Sequence, residues 1–117
     1  MIACHGQERV FISLVVNAIE QAAVAEQFQT LADQWKTATA LLSSTTAMVS
    51  HPTYRAIIAL GPPVVPLLLH DLEREPVHWF EALQVITRED PVAREHWGNI
   101  AAMAADWLTW GRQRGLI

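Results

Sequence analysis

The feature that most constrains this chain is the apolar stretch over residues 56–69, Ala-Ile-Ile-Ala-Leu-Gly-Pro-Pro-Val-Val-Pro-Leu-Leu-Leu. It falls short of the roughly 20 apolar residues that a membrane span needs, and Gly61 and three prolines interrupt it. The spacing predicts a short helix with Tyr54, Ile57, Ile58 and Leu60 on its apolar side, stopped at Gly61. Pro62 and Pro63 then open another, in which Val64, Val65, Leu67, Leu68, Leu69 and Leu72 are apolar almost all round. A helix of that kind is central and buried.

The rest of the chain also follows helical periods. Phe28, Leu31, Ala32, Trp35, Ala38 and Leu42 recur at three- and four-residue spacing and predict an amphipathic helix. Residues 10–24 begin β-branched but become Ala-rich, which favours a first helix over a strand. Ser43-Ser44-Thr45-Thr46 ends the amphipathic helix, because hydroxyl side chains compete with helical backbone and favour caps. A short helix is expected there or after Ser50, where Ser50-His51-Pro52 sets a capping hydroxyl before a proline. Pro76 is expected to start a helix carrying His78, Trp79, Phe80, Leu83, Val85 and Ile86, and Asp90-Pro91 another. Asn99 caps the last, which runs through Ile100, Met103, Ala104, Trp107, Leu108 and Trp110 towards Gly111 and Gly115. No segment sustains period-two alternation, so the expected fold is all-α, a compact single-domain helical bundle.

Length and charge narrow the function. At 117 residues, 51% hydrophobic and 17% charged, the chain is one folded domain rather than a disordered tail. Its net charge of −4 and scattered basic residues argue against nucleic-acid binding, which needs clustered cations. Cys4 is the single cysteine, which excludes an internal disulfide or a Cys-x-x-Cys pair and fits the cytoplasm. Arg9, the apolar run over residues 10–16 and Ala23-Val24-Ala25 imitate a secretory signal. Glu8, Asn17, Glu20 and Gln21 break that pattern, and a buried amphipathic helix accounts for the same residues.

Leu60-Gly61, Val64-Val65-Pro66-Leu67-Leu68-Leu69, Leu72, Pro76 and Ala82-Leu83-x-x-Ile86 together resemble a HEAT-type helical repeat over residues 52–90. The resemblance implies a HEAT-like helical pair, but one and a half repeats do not make a solenoid. Residues 28–115 also resemble a family of short uncharacterised bacterial helical proteins. Trp35, Ser43-Ser44, His51-Pro52-x-Tyr54, His78-Trp79-Phe80 and Trp107-x-x-Trp110-Gly111 carry that second resemblance. It implies a helical domain over residues 27–117, with residues 1–26 as an N-terminal extension or first helix, and it brings no activity.

Five histidines, His5, His51, His70, His78 and His96, with Asp71, Glu75 and Glu81 nearby, raise the question of a metal. Their spacing does not match the three- or four-residue interval of helical zinc ligands, so capping or surface roles are expected, with no metal or other cofactor. The Ser43–Thr46 hydroxyls near His51 lack a nucleophile elbow and are expected to cap a turn. Glu73 with Glu75, and Glu89 with Asp90, have no apolar wall to raise a pKa and are expected to be solvated.

The sequence therefore predicts a small intracellular protein-binding module, a neutralising partner of the antitoxin or immunity type. Its binding surface is expected from His51, Tyr54, His78, Trp79 and Trp107, with Ser43 and Ser44 fixing the turn that shapes it. Five tryptophans in so short a chain support an interface, because exposed Trp and Tyr are favoured anchors. Two alternatives stand beside it. One is a small hydrolase using His51 and His78 with the hydroxyl cluster, and the other is a structural homodimer.

Overall fold

Local side-chain chemistry sets most of the helix boundaries. In the computed structural model, which describes residues 2–76 and 78–117 with side chains from Ala18 onward except Val77, six α-helices are seen among the described residues and no strand. The protein is an all-α single domain. Helix α2 (Thr45–Val49) is capped by Ser44, whose Oγ accepts from the Ala47 N–H at 3.3 Å. Helix α3 (Pro52–Ala59) has Pro52 at its first position and His51 as cap, with Nδ1 accepting from the Thr53 N–H at 3.1 Å. Ser50, expected in that role, instead closes α2 by donating its N–H to the Thr46 carbonyl. Helix α6 (Ile100–Gln113) is capped by Asn99, whose Oδ1 accepts from the Ala102 N–H.

Gly61 separates α3 from a 3-10 turn over Pro62–Val64 and helix α4 (Val65–Arg74). Its φ of 75° and ψ of −159° lie where only glycine sits without strain. The chain bends by 101° there. Val64, Val65, Leu68, Leu69 and Leu72 are buried, as their sequence predicts. Among the described residues no single helix is long and apolar enough to cross a membrane.

Helix α1 (Ile2–Ala38) is one continuous element, where the sequence suggested a first helix and then a second from Phe28. Residues 18–29 contain neither glycine nor proline and are rich in Ala, Glu and Gln, so nothing interrupts the helix. Among the described side chains, its packing on the body starts at Val24 and Phe28, and it is made mainly with α3 and the 3-10 turn. The helix ends at Ala38 rather than Leu42. Thr39 closes it, donating its N–H and its hydroxyl to the Trp35 carbonyl, at 2.9 and 2.7 Å.

Two other expected starts fail. Helix α5 (Phe80–Thr87) begins four residues after Pro76, and His78 takes a left-handed φ of 77° that turns the Trp79 ring into the core. No helix begins at Asp90-Pro91, because the Asp90 carboxylate accepts from the Val92 N–H and holds a turn. Helices α4 and α6 pack together, and α5 closes over α3 and α4.

Candidate functional site

Trp35 of α1, Tyr54 of α3 and Trp79 before α5 meet in the centre of the molecule. Their ring centroids lie 5.1 to 5.7 Å apart, and Phe28 adds a fourth ring 5.5 Å from Trp79. Each polar tip is matched, as burial requires. Trp35 Nε1 donates to the Met48 carbonyl at 2.7 Å, which ties α2 to α1. Trp79 Nε1 donates to Asp71 Oδ2 at 2.6 Å. The Tyr54 hydroxyl donates to the His78 carbonyl at 2.6 Å and accepts from the Ala82 N–H at 3.0 Å. Burial holds that phenol far above its ordinary range, so it keeps the proton that it donates.

Asp71 is the buried charge of the molecule's described part. Burial raises its pKa, but hydrogen bonds from Trp79 and Arg74 and the positive charges of Lys36 and Arg74 outweigh burial and hold it below the usual carboxylate range. Lys36 also reaches Glu75, at 3.9 Å.

Above this core lies a cleft of about 300 Å³. It is lined by Trp35, Lys36, Thr39 and Ala40 from the end of α1 and the turn after it, by Leu42 and Met48, and by Glu75 and His78 from the segment between α4 and α5. The half-buried His78 ring meets the Trp35 ring edge-on at 5.0 Å. Burial, with Lys36 nearby, keeps the imidazole pKa below its ordinary value despite Glu75 and Asp71, so it is neutral near pH 7. Leu42, in the cleft lining, is 42% exposed, and Leu41 before it in the chain is 99% exposed.

The structure brings Tyr54, His78 and Trp79 together, but Tyr54 and Trp79 are fully buried and form no surface. Trp107 is equally buried and pairs edge-on with Trp110 on α6. These three were expected as surface anchors. They are core because aromatic rings of that size, spaced to face inward, contribute more by leaving water than any single surface contact does. His51 and Ser44 are used as helix caps, and Ser43 is exposed in the turn. No hydrogen bond joins His51 to the hydroxyl cluster among the described residues. Nor do three His, Cys, Asp or Glu side chains converge there. The side chains of Cys4 and His5 lie outside the described residues. His70 is exposed, and His96 pairs with Asp106 at 2.6 Å on the surface.

Sequence reasoning missed Lys36, Thr39, Leu42, Met48 and Glu75 as cleft residues. Leu41-Leu42 directly before four hydroxyl residues was the signal available, since an apolar pair next to a helix stop lies near a loop. Comparison with protein-family models, curated proteins and solved structures gives no match, so geometry alone carries the functional reading.

Proposed function

We propose that the protein is a protein-binding module that holds a partner's segment in the cleft between the end of α1, α2 and His78. Leu42, a 42%-exposed apolar side chain in the lining of a formed cleft, next in the chain to the 99%-exposed Leu41, is the observation that carries this reading. An apolar side chain of the partner would rest on Leu41, Leu42 and Met48. Its polar neighbours would meet Lys36, Glu75 and neutral His78. The net charge of −4 favours a basic partner, and neutralisation of the antitoxin or immunity kind is the form of binding we infer. The likeness of residues 52–90 to a HEAT-type repeat supports the reading as an analogy of fold. A reducing compartment such as the cytoplasm suits a chain with one cysteine.

The test is affinity capture from the source cell extract with three baits. The wild type is expected to retain a stoichiometric partner that Leu41→Glu/Leu42→Glu loses, whereas Trp97→Ser, altering the 61%-exposed tryptophan elsewhere, keeps it. Trp79→Ala would test folding rather than docking. His78→Gly relieves the left-handed backbone while removing the ring, so it should stay within about 1 kcal/mol of wild-type stability yet bind weakly. A partner retained by the double leucine variant would overturn the assignment to this cleft.

A further inference from the structure

The connection from α5 to α6 is anchored in the core at Val92, which is buried. After it comes a 3-10 turn over Arg94–His96 that packs on α6, then Trp97, 61% exposed, and Gly98. Gly98 has a left-handed φ of 87°, and no atom lies within 4 Å of where a Cβ would stand, so the chain can pivot there without striking a neighbour. Among the described residues, two hydrogen bonds join residues 91–98 to a helix, and both end on one atom. Asp106 Oδ2 of α6 accepts from the Ala93 N–H at 3.1 Å and meets His96 Nδ1 at 2.6 Å.

Histidine is the side chain whose ordinary titration falls near neutral pH, and the His96 side chain is 39% exposed, open to exchange its proton with water. Its hydrogen bond to Asp106 lifts the imidazole pKa above the ordinary 6.5, and the charges of Asp106 and Glu95 act the same way against a smaller opposing effect of burial. The same bond, with that from the Ala93 N–H, holds the Asp106 carboxyl below the ordinary 3.8. From α6, Asp106 is the charged group that faces His96, and from its own turn Glu95 does. Arg94 lies instead over the Trp97 ring, 5.9 Å from its centroid, and Arg112 and Arg114 of the far end of α6 reach Glu73 and Glu89. A hydrogen bond between ionised partners is roughly twice as strong as a neutral one. Once His96 gives up its proton, the bond to the ring becomes an ordinary one in competition with water, or is lost where the remaining proton sits on Nε2.

We propose that residues 93–97 are a pH-operated latch, closed on α6 while His96 is protonated and loosened when it gives up that proton, so that Trp97 moves about Val92 and Gly98. Closure needs Asp106 ionised and His96 protonated. The latch is therefore at full strength between pH 3.8 and 6.5, weakens as pH rises through the folded His96 value, and weakens in acid as pH falls through the folded Asp106 value. Among the described residues Trp97 is the largest exposed apolar side chain, so the latch sets how that surface is presented near neutral pH. The cleft at Leu42 shares no residue with this turn, so the latch and the binding reading stand or fall separately.

Nuclear magnetic resonance of the full chain from about pH 5 to about pH 9 tests the proposal. His96 should titrate above 6.5, and the Ala93 amide and Trp97 indole N–H signals should shift with the same midpoint. Above that midpoint the heteronuclear Overhauser effect at residues 94–97 should fall while that of α6 holds. Asp106→Asn keeps the side-chain shape and removes its charge, and should bring the His96 midpoint down to 6.5 or lower. His96→Gln should leave residues 94–97 with one mobility at every pH, and an unchanged near-ultraviolet circular dichroism should show that both variants fold. A wild-type His96 midpoint at or below 6.5, a Trp97 signal indifferent to that titration, or an Asp106→Asn midpoint equal to the wild type's would each overturn the proposal.

Discussion

Asp71 shows how one side chain joins the core to the rim of the cleft. Its two oxygens take Trp79 Nε1 and Arg74, and Lys36 stands 3.5 Å away. The sequence contains all four residues but gives no reason to link them, because the link exists only once α1, α4 and the turn before α5 converge. The pH consequence follows from the lowered pKa. The unfolded chain takes up a proton near the ordinary carboxylate value of 3.8, and the folded one only below it. The stabilisation is therefore complete above pH 3.8 and is lost as pH falls through the folded value. Asp71→Asn should lower stability at pH 7 by about 1–3 kcal/mol. Urea unfolding at pH 7 and at pH 3 should show the gap to wild type narrowing in acid, and an unchanged gap would mean that the carboxylate charge is not what holds Trp79.

Among the elements, the α3–α4 bend decides the architecture. A straight continuation would carry the apolar face of α4 away from Tyr54 and Ile57, so the 101° turn at Gly61 is what makes a single core. Gly61→Ala has space for its Cβ, the nearest side-chain atom being Pro63 Cδ at 4.0 Å, and yet must hold φ at +75°. The loss should be about 1–3 kcal/mol, seen as a lower thermal midpoint with an unchanged helical spectrum. This bend was legible, since glycine followed by paired prolines is a helix stop and a helix start. The fate of Pro76 and Pro91 was not. Both stand before segments whose helical start was displaced by long-range demands, Trp79 entering the core in one case and the Asp90 and Asp106 carboxylates taking the Val92 and Ala93 N–H groups in the other.

At the scale of the whole molecule, helix α1 is about 55 Å long at 1.5 Å per residue, in a molecule of 62 by 32 by 22 Å. Among its described side chains, core burial begins near Val24 and Phe28. Removal of residues 2–22 should therefore leave the thermal midpoint of the body nearly unchanged. A collapse of the melt would mean that the first half of α1 belongs to the core. Most of the proposed cleft escaped the sequence for a related reason. Its walls come from residues 35, 36, 39, 40, 42, 48, 75 and 78, and periodicity describes one element at a time.

The sequence by itself determined what depends on neighbours in the chain. Helical periodicity, capping by Ser44 and Asn99, the stop at Gly61 and the burial of Val64, Val65, Leu68, Leu69 and Leu72 rest on local hydrogen bonds and on which side of a helix is apolar. Tertiary structure decided what depends on competition for the interior. Tyr54, Trp79 and Trp107 are aromatic enough for an interface or a core, and only the convergence of α1, α3, α4 and α6 shows that the core claims them. The same convergence ends α1 at Ala38 and leaves Leu41 in water, because Trp35 must reach the Met48 carbonyl and Thr39 closes the helix behind it.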